Sequence, residues 1–298
     1  MKKLMIVSVV LMAAFAAHAQ LKVAPKMEKG TTKTYATTIT ANIPGQGEVK
    51  MTADTKYTVS GATANGYTMD IVTTNVTSNA AADNIAGKLV AASQELMQGM
   101  TVSLNTDKDG KILGIKNFNE LKPKMDAAAG KLVDQLLKDI PQLSQLMSKE
   151  ALINQITDNV NEESLVRTMQ ANTSVLVLNG KTIMTGAQDE FVNEQGMKMK
   201  RMYFVNGKKV TTNSSMNMSK DEMKAFIIKS VEQMAPEQAE MIKQNIDQVM
   251  ATGMLKIDMK ETANYEIGDD GWVKTLKSDA TTDTMGQKTS ITTVATLK

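Results

Sequence analysis

Two long stretches of the chain alternate between apolar and polar residues, and they constrain the fold more than any other feature. In Val49–Val59, the residues Val49, Met51, Ala53, Thr55, Tyr57 and Val59 fall on one side of an extended chain. Lys50, Thr52, Asp54, Lys56 and Thr58 fall on the other. Leu255–Ile267 repeats the pattern, with Leu255, Ile257, Met259, Ala263, Tyr265 and Ile267 on one face and Glu261 the single polar residue among them. A period of two belongs to β-strands, and one apolar face opposite one polar face belongs to an antiparallel sheet buried on one side. Shorter runs of the same kind occur at Tyr35–Ala41, Tyr67–Val76, Met100–Leu104, Met197–Phe204, Val210–Met218, Trp272–Leu276 and Ile291–Leu297. Asp107-Lys108-Asp109-Gly110, Asn206-Gly207 and Asp269-Asp270-Gly271 stand between such runs and predict hairpin turns.

Helical spacing interrupts the strands in three places. Ile85, Leu89, Ala92 and Leu96 share a helix face that Asp83 can cap. Phe118 to about Met169 reads as helix in pieces, punctuated by Pro123, Gly130 and Pro141, with Asn161 as the N-cap of the last piece. Ser219 and Glu222 form a capping box ahead of Met223, Ile227, Val231 and Met234; Pro236 then opens a second piece with Ile242, Ile246 and Val249 inward. The order is three strands, a helix, two strands, a helical region, three strands, a helical pair and three strands. It predicts an α+β fold: a curved antiparallel β-sheet, or half-barrel, with helices covering the concave face. Residues 20–298 are expected to form one domain, readable as two similar lobes, 20–170 and 171–298, although no residue-level repeat links them.

Residues 1–19 have the parts of a secretory signal: Lys2 and Lys3, an apolar run from Leu4 to Ala16, and the small-residue pattern Ala17-His18-Ala19. Cleavage is expected between Ala19 and Gln20, and the product is expected in the periplasm or outside the cell, soluble. With no Cys in the chain it cannot be a lipoprotein, and no later segment is apolar for long enough to cross a bilayer. The only His, His18, lies in the signal, and so do two of the 34 basic residues, which leaves basic and acidic groups balanced. No basic run suggests a nucleic-acid partner.

The missing residues exclude whole classes of chemistry. Without His or Cys beyond residue 19, neither a Ser–His–Asp nor a Cys–His nucleophile can be assembled, nor a zinc site of His and Cys. No phosphate-cradling Gly-rich loop precedes a helix. Paired carboxylates such as Asp189 with Glu194, or Asp269 with Asp270, keep a hydrolase conceivable, but the aromatic platforms a sugar needs are few. Asn105–Gly110 matches the first half of a calcium loop, but position 12 is Lys116 where a bidentate Glu is required, and a hairpin turn explains it. No catalytic residue, cofactor or metal is therefore assigned.

Methionine is the compositional anomaly: 21 of the 24 lie beyond residue 19, several in pairs two apart. Such pairs put both thioethers on one strand face. They can fill a core poor in aromatics, line a cavity for apolar ligands, or hold Cu(I). The inward-facing set expected to line a ligand cavity is Met51, Tyr57, Met69, Met197, Met199, Met216, Met218, Met259 and Tyr265.

The signal ending in Ala-Gln, the Met100–Lys116 hairpin and the Gly271-Trp272 strand resemble those of exported bacterial proteins of a domain of unknown function. The order of elements is also similar to that of periplasmic lipoprotein carriers and related lipid-binding half-barrels, a likeness of architecture alone. The expectation is a non-enzymatic exported protein that binds a lipid or other apolar ligand between sheet and helices. The alternatives are an envelope scaffold or protein-interaction module without a small ligand, and a carboxylate-dependent hydrolase.

Overall fold

The computed structural model describes residues 20–45, 47–80, 98–139, 141, 144, 148–157, 161–193, 196–234, 236–251, 257–284 and 286–298. The expected signal peptide, the expected helix through Ile85 and Leu96, and Glu194 lie outside the described residues.

The alternating segments pair into one 11-stranded antiparallel sheet. Its strands are β2 (Thr32–Ile43), β3 (Gly47–Thr63), β4 (Gly66–Ser78), β5 (Thr101–Thr106), β6 (Ile112–Ile115), β8 (Gln188–Val192), β9 (Lys198–Asn206), β10 (Lys209–Met216), β11 (Ile257–Ile267), β12 (Val273–Thr284) and β13 (Gln287–Leu297). The spatial order is β6-β5-β4-β3-β2-β13-β12-β11-β10-β9-β8, so the sheet is open, with β6 and β8 at its edges. Two short strands, β1 (Gln20–Lys22) and β7 (Thr182–Met184), pair separately. The expected curved α+β sheet is what forms. Register shifts in β3–β4, β5–β6 and β11–β12 add local twist, which favours a curved sheet over a flat one.

The join between N- and C-terminal strands is the middle of the sheet. Strand β13 pairs with β2 from Ser290↔Asn42 to Leu297↔Tyr35. Tyr35 reaches past β13: its buried hydroxyl donates to the Val273 carbonyl of β12 at 2.6 Å, and its ring meets that of Tyr57 edge-on at 5.5 Å. Desolvation of the two phenols pushes both pKa values well above the usual tyrosine range. A single apolar cluster follows, running from Val59, Met69 and Leu104 through Tyr35 to Tyr265, Leu276 and Trp272.

Five helices accompany the sheet among the described residues: α1 (Phe118–Asp139), α2 (Lys149–Thr157), α3 (Glu162–Ala171), α4 (Lys220–Met234) and α5 (Pro236–Ala251). Two of the three expected caps form, and the third, at Asp83, lies outside the described residues. Asn161 Oδ1 accepts from Ser164 N at 2.8 Å, while Ser219 Oγ accepts from Glu222 N at 3.2 Å and Glu222 Oε2 accepts from Ser219 N at 2.8 Å.

Helix α1 differs from expectation, because it runs unbroken through Pro123 and Gly130. Pro123, in the second turn, removes one intrahelical hydrogen bond, and Gly130 leaves the helix geometry intact while weakening it; packing of the helix outweighs both. A Cβ built at Gly130 would meet nothing within 4 Å. Gly130→Ala should therefore raise unfolding stability by about 0.5–1 kcal/mol, read as a higher urea midpoint at unchanged slope.

Candidate functional site

Helix α3 organises the site. It lies against edge strand β6 and serves that edge with side chains instead of another strand. Glu162 Oε1 accepts from the Ile115 N–H at 2.9 Å, and Gln170 Nε2 donates to the Ile112 carbonyl at 2.7 Å. An exposed edge would otherwise present unpaired backbone groups to other chains. The C-terminal end of α3 is held from the far edge of the sheet, where the Arg201 guanidinium of β9 donates to the Ala171 carbonyl. A cation at a helix C-terminus also complements the helix dipole.

Two cavities adjoin this helix. The first, of about 400 Å³, lies between β4–β6 and α1–α3 and is open on one side. Ile71, Val102 and Ile115 form its sheet wall; Leu121, Met125, Ala129 and Leu132 of α1 and Leu165 and Met169 of α3 form its helical wall. Leu165 and Met169 are one helical turn apart and so share a face. Two of the three polar residues on the wall are engaged: Thr157 Oγ1 donates to the Ile153 carbonyl at 3.0 Å, and Asp126 pairs with Lys122 one turn earlier; Thr73 of β4 is the third.

The second cavity, of about 490 Å³, is lined by more charged and polar side chains than the first and lies between the two sheet edges, beside the opposite face of α3. Lys111 and Ile112, then Arg167 and Gln170 of α3, then Asn179, Lys181, Asp189, Phe191 and Arg201 line it. Lys181 Nζ and Tyr203 OH both donate to Asp189 Oδ2, at 2.8 and 2.6 Å. Partial burial raises the Asp189 pKa, but the hydrogen bonds from Lys181 and Tyr203 outweigh it and hold the carboxyl below its ordinary value.

The nine residues expected to line a ligand cavity are distributed differently. Met69 and Tyr265 are buried in the main core cluster, and Tyr57 packs against it. Met199 is opposite Met216 across β9–β10; Met199 and Met259 line a third space of about 200 Å³ beside Asn172, Phe191 and Glu261. Met197 is buried, while Met51, Met216 and Met218 are half-buried. None of the nine lines the 400 Å³ apolar cavity. The paired-Met pattern does not mark its wall, because Met100, Met125 and Met169 come from a strand end and two helices. The nearest sequence signal is the apolar face of α1 and α3.

The nominated carboxylates are engaged elsewhere: Asp269 pairs with Lys208, and Asp270 with Lys33 at 2.6 Å. In the calcium-like segment, Asp107 Oδ1 accepts the backbone N–H groups of Asp109 and Lys111, each at 2.9 Å, closing a turn. No group of three or more acidic residues is placed to hold a metal ion among the described residues, and no described helix is long and apolar enough to cross a membrane.

No protein-family model and no curated protein matches the sequence. Among solved structures the chain is similar to lipovitellin, described in terms of its lipid–protein interactions, at 10% identity and a TM-score of 0.37. That match covers 91% of this chain, which spans a quarter (25%) of the lipovitellin chain. A candidate exported protein of Bacteroides fragilis NCTC 9343 with a YmcC-like fold is similar at 8% identity and a TM-score of 0.27, over 93% of this chain and 99% of the other. At these scores neither likeness transfers a ligand or an activity.

Proposed function

We propose that the chain is a non-catalytic exported protein that carries one apolar chain in the cavity between β4–β6 and α1–α3. The observation that supports this most is the cavity itself: about 400 Å³ of apolar space walled by Ile71, Val102, Ile115, Leu121, Met125, Leu165 and Met169. Apolar space of this kind is poor at holding water and good at holding hydrocarbon. Its size falls in the usual range for small-ligand sites, roughly 300–1,000 Å³. At about 30 Å³ per water-sized unit it accommodates roughly a dozen carbon atoms, a single chain and not a two-chain lipid. Met125 and Met169 suit such a ligand, since flexible thioethers adjust to chains of differing shape. The signal-like residues 1–19 support export, and every described strand lies beyond the expected cleavage point after Ala19.

The test is uptake of a neutral apolar fluorophore, N-phenyl-1-naphthylamine. Wild-type protein should bind it at about one per chain with a dissociation constant near 1–10 µM. Ala129 is buried on the cavity wall. Ala129→Phe fills the space and should weaken uptake at least about tenfold while far-UV circular dichroism stays unchanged. Absence of uptake by wild type, or equal uptake by the filled variant, would remove the reading.

A further inference from the structure

The geometry points to a second binding site, the 490 Å³ cavity between the sheet edges, as a receptor for a phosphate-class oxyanion, one that carries both negative charge and a proton to donate. Its deepest group is Arg201, only 2% exposed. The guanidinium donates to the Ala171 carbonyl and lies 4.2 Å over the Phe191 ring, and no carboxylate stands within ion-pair distance of it among the described residues. A buried cation without a counter-ion is costly unless something supplies one. The nearest candidate, Asp189, faces Arg201 across β8–β9, but its Oδ2 is committed to Lys181 and Tyr203.

Two further buried atoms of residues on the same walls lack partners. The Nδ2 of Asn179, a residue 4% exposed, makes no hydrogen bond, and neither does Asp189 Oδ1. One wants an acceptor and the other a donor. At the rim stand Lys111 and Arg167, the latter only 4.0 Å from Glu163 in an exposed pair that contributes little. Glu190, the other acid of the lining, accepts from Asn217 at 3.0 Å. Hydrogen phosphate satisfies the set: its oxygens accept from Arg201, Arg167 and Asn179, and its remaining proton is donated to Asp189 Oδ1. A phosphate monoester does so only in its singly protonated form, the minor species at neutral pH because its second pKa is about 6. Arginine is well shaped for such a group. Sulfate has the same shape but no proton at neutral pH, so Asp189 would repel it.

The phosphate could be free or the head of an amphiphile. Helix α3 separates the two cavities, with Leu165 and Met169 on the apolar side and Arg167 and Gln170 on the polar side. The amphiphile version rests on the apolar-chain reading above; the oxyanion site does not.

The experiment is calorimetric titration of the full exported chain with inorganic phosphate, sodium sulfate and dodecyl phosphate at neutral pH and low salt. Phosphate should bind at one per chain and sulfate at least about tenfold more weakly. Arg167→Ala, at an exposed residue, should weaken phosphate about tenfold, and Arg201→Gln should abolish binding. If Arg201→Gln does not fold, Arg167→Ala and the phosphate–sulfate ratio still decide. No phosphate binding up to about 10 mM overturns the proposal. So does binding that neither distinguishes sulfate nor responds to Arg167→Ala, which would show a site filled by water alone. Dodecyl phosphate binding tighter than phosphate, with the gain lost in Ala129→Phe, identifies an amphiphile head; equal affinities identify a free phosphate group. Phosphate binding without uptake of N-phenyl-1-naphthylamine keeps this site and removes the apolar one, and the reverse pattern does the opposite.

Discussion

Trp272→Ala should cost about 3–5 kcal/mol of unfolding stability, among the largest losses available from a single side chain. Trp272 is the only tryptophan and is 2% exposed. It sits where β12 begins, beneath the segment that leads from β1 into β2. Its indole Nε1 donates to the Lys26 carbonyl at 3.1 Å, and the Lys26 N–H donates to the Asp270 carbonyl at 2.8 Å. Asp270 also holds the start of β2, through Lys33 at 2.6 Å. Truncation therefore opens a void the size of an indole and leaves the Lys26 carbonyl short of a donor. Guanidinium unfolding followed by circular dichroism should show a lower midpoint at unchanged slope. Trp272→Phe, which keeps most of the volume and loses the N–H, should fall between the two. A loss below about 1 kcal/mol for Trp272→Ala would mean that the N-terminal segment does not rest on this side chain.

The same residues show why the fold was legible in the sequence and the site was not. Strand periodicity is a local signal: Tyr265 and Ile267 had to point one way and Asn264 and Glu266 the other, and the sheet pairs them so. The caps at Asn161 and Ser219 are equally local, needing only residues three apart. Strand β8 carries a weak sequence signal, because Asp189 faces Arg201 with a charge where an apolar residue would mark a strand. Helix α1 was expected in pieces because proline and glycine weaken a helix locally, whereas packing over 22 residues holds it together. A cavity is a different kind of fact. It is space that packing leaves open, here bounded by three strands and three helices, and no periodicity reports the absence of a neighbour. Alternation puts Met197 and Met199 in buried positions, but being buried does not put a side chain on this cavity: Met199 and Met259 line a different space, beside Asn172 and Phe191.

Gly66→Ala should be at least as damaging, for a reason that joins fold to site. Gly66 is buried at the first position of β4, just after the turn from β3, and a Cβ there would lie 1.9 Å from the Thr106 carbonyl oxygen and 2.9 Å from its carbon. Those are backbone atoms of β5, in the register pair Tyr67↔Thr106, and no rotamer change can move them aside. The two strands must part by more than an ångström, which loosens the ladder running through Met69↔Leu104 and Ile71↔Val102. Overpacking ordinarily costs about 1–3 kcal/mol, and a clash against backbone belongs at or above the top of that range. Ile71 and Val102 also form the sheet wall of the apolar cavity. Urea unfolding of Gly66→Ala should therefore lose about 3 kcal/mol or more, and protein that still folds should take up N-phenyl-1-naphthylamine less tightly than wild type. Ala62, paired with Tyr67 on the far side of β4 and exposed, provides the control: Ala62→Ser should change neither quantity by more than about 0.5 kcal/mol. Equal stability for Gly66→Ala and wild type would show that β4 and β5 are not held in contact at Thr106, and with that the sheet wall of the proposed site would lose its support.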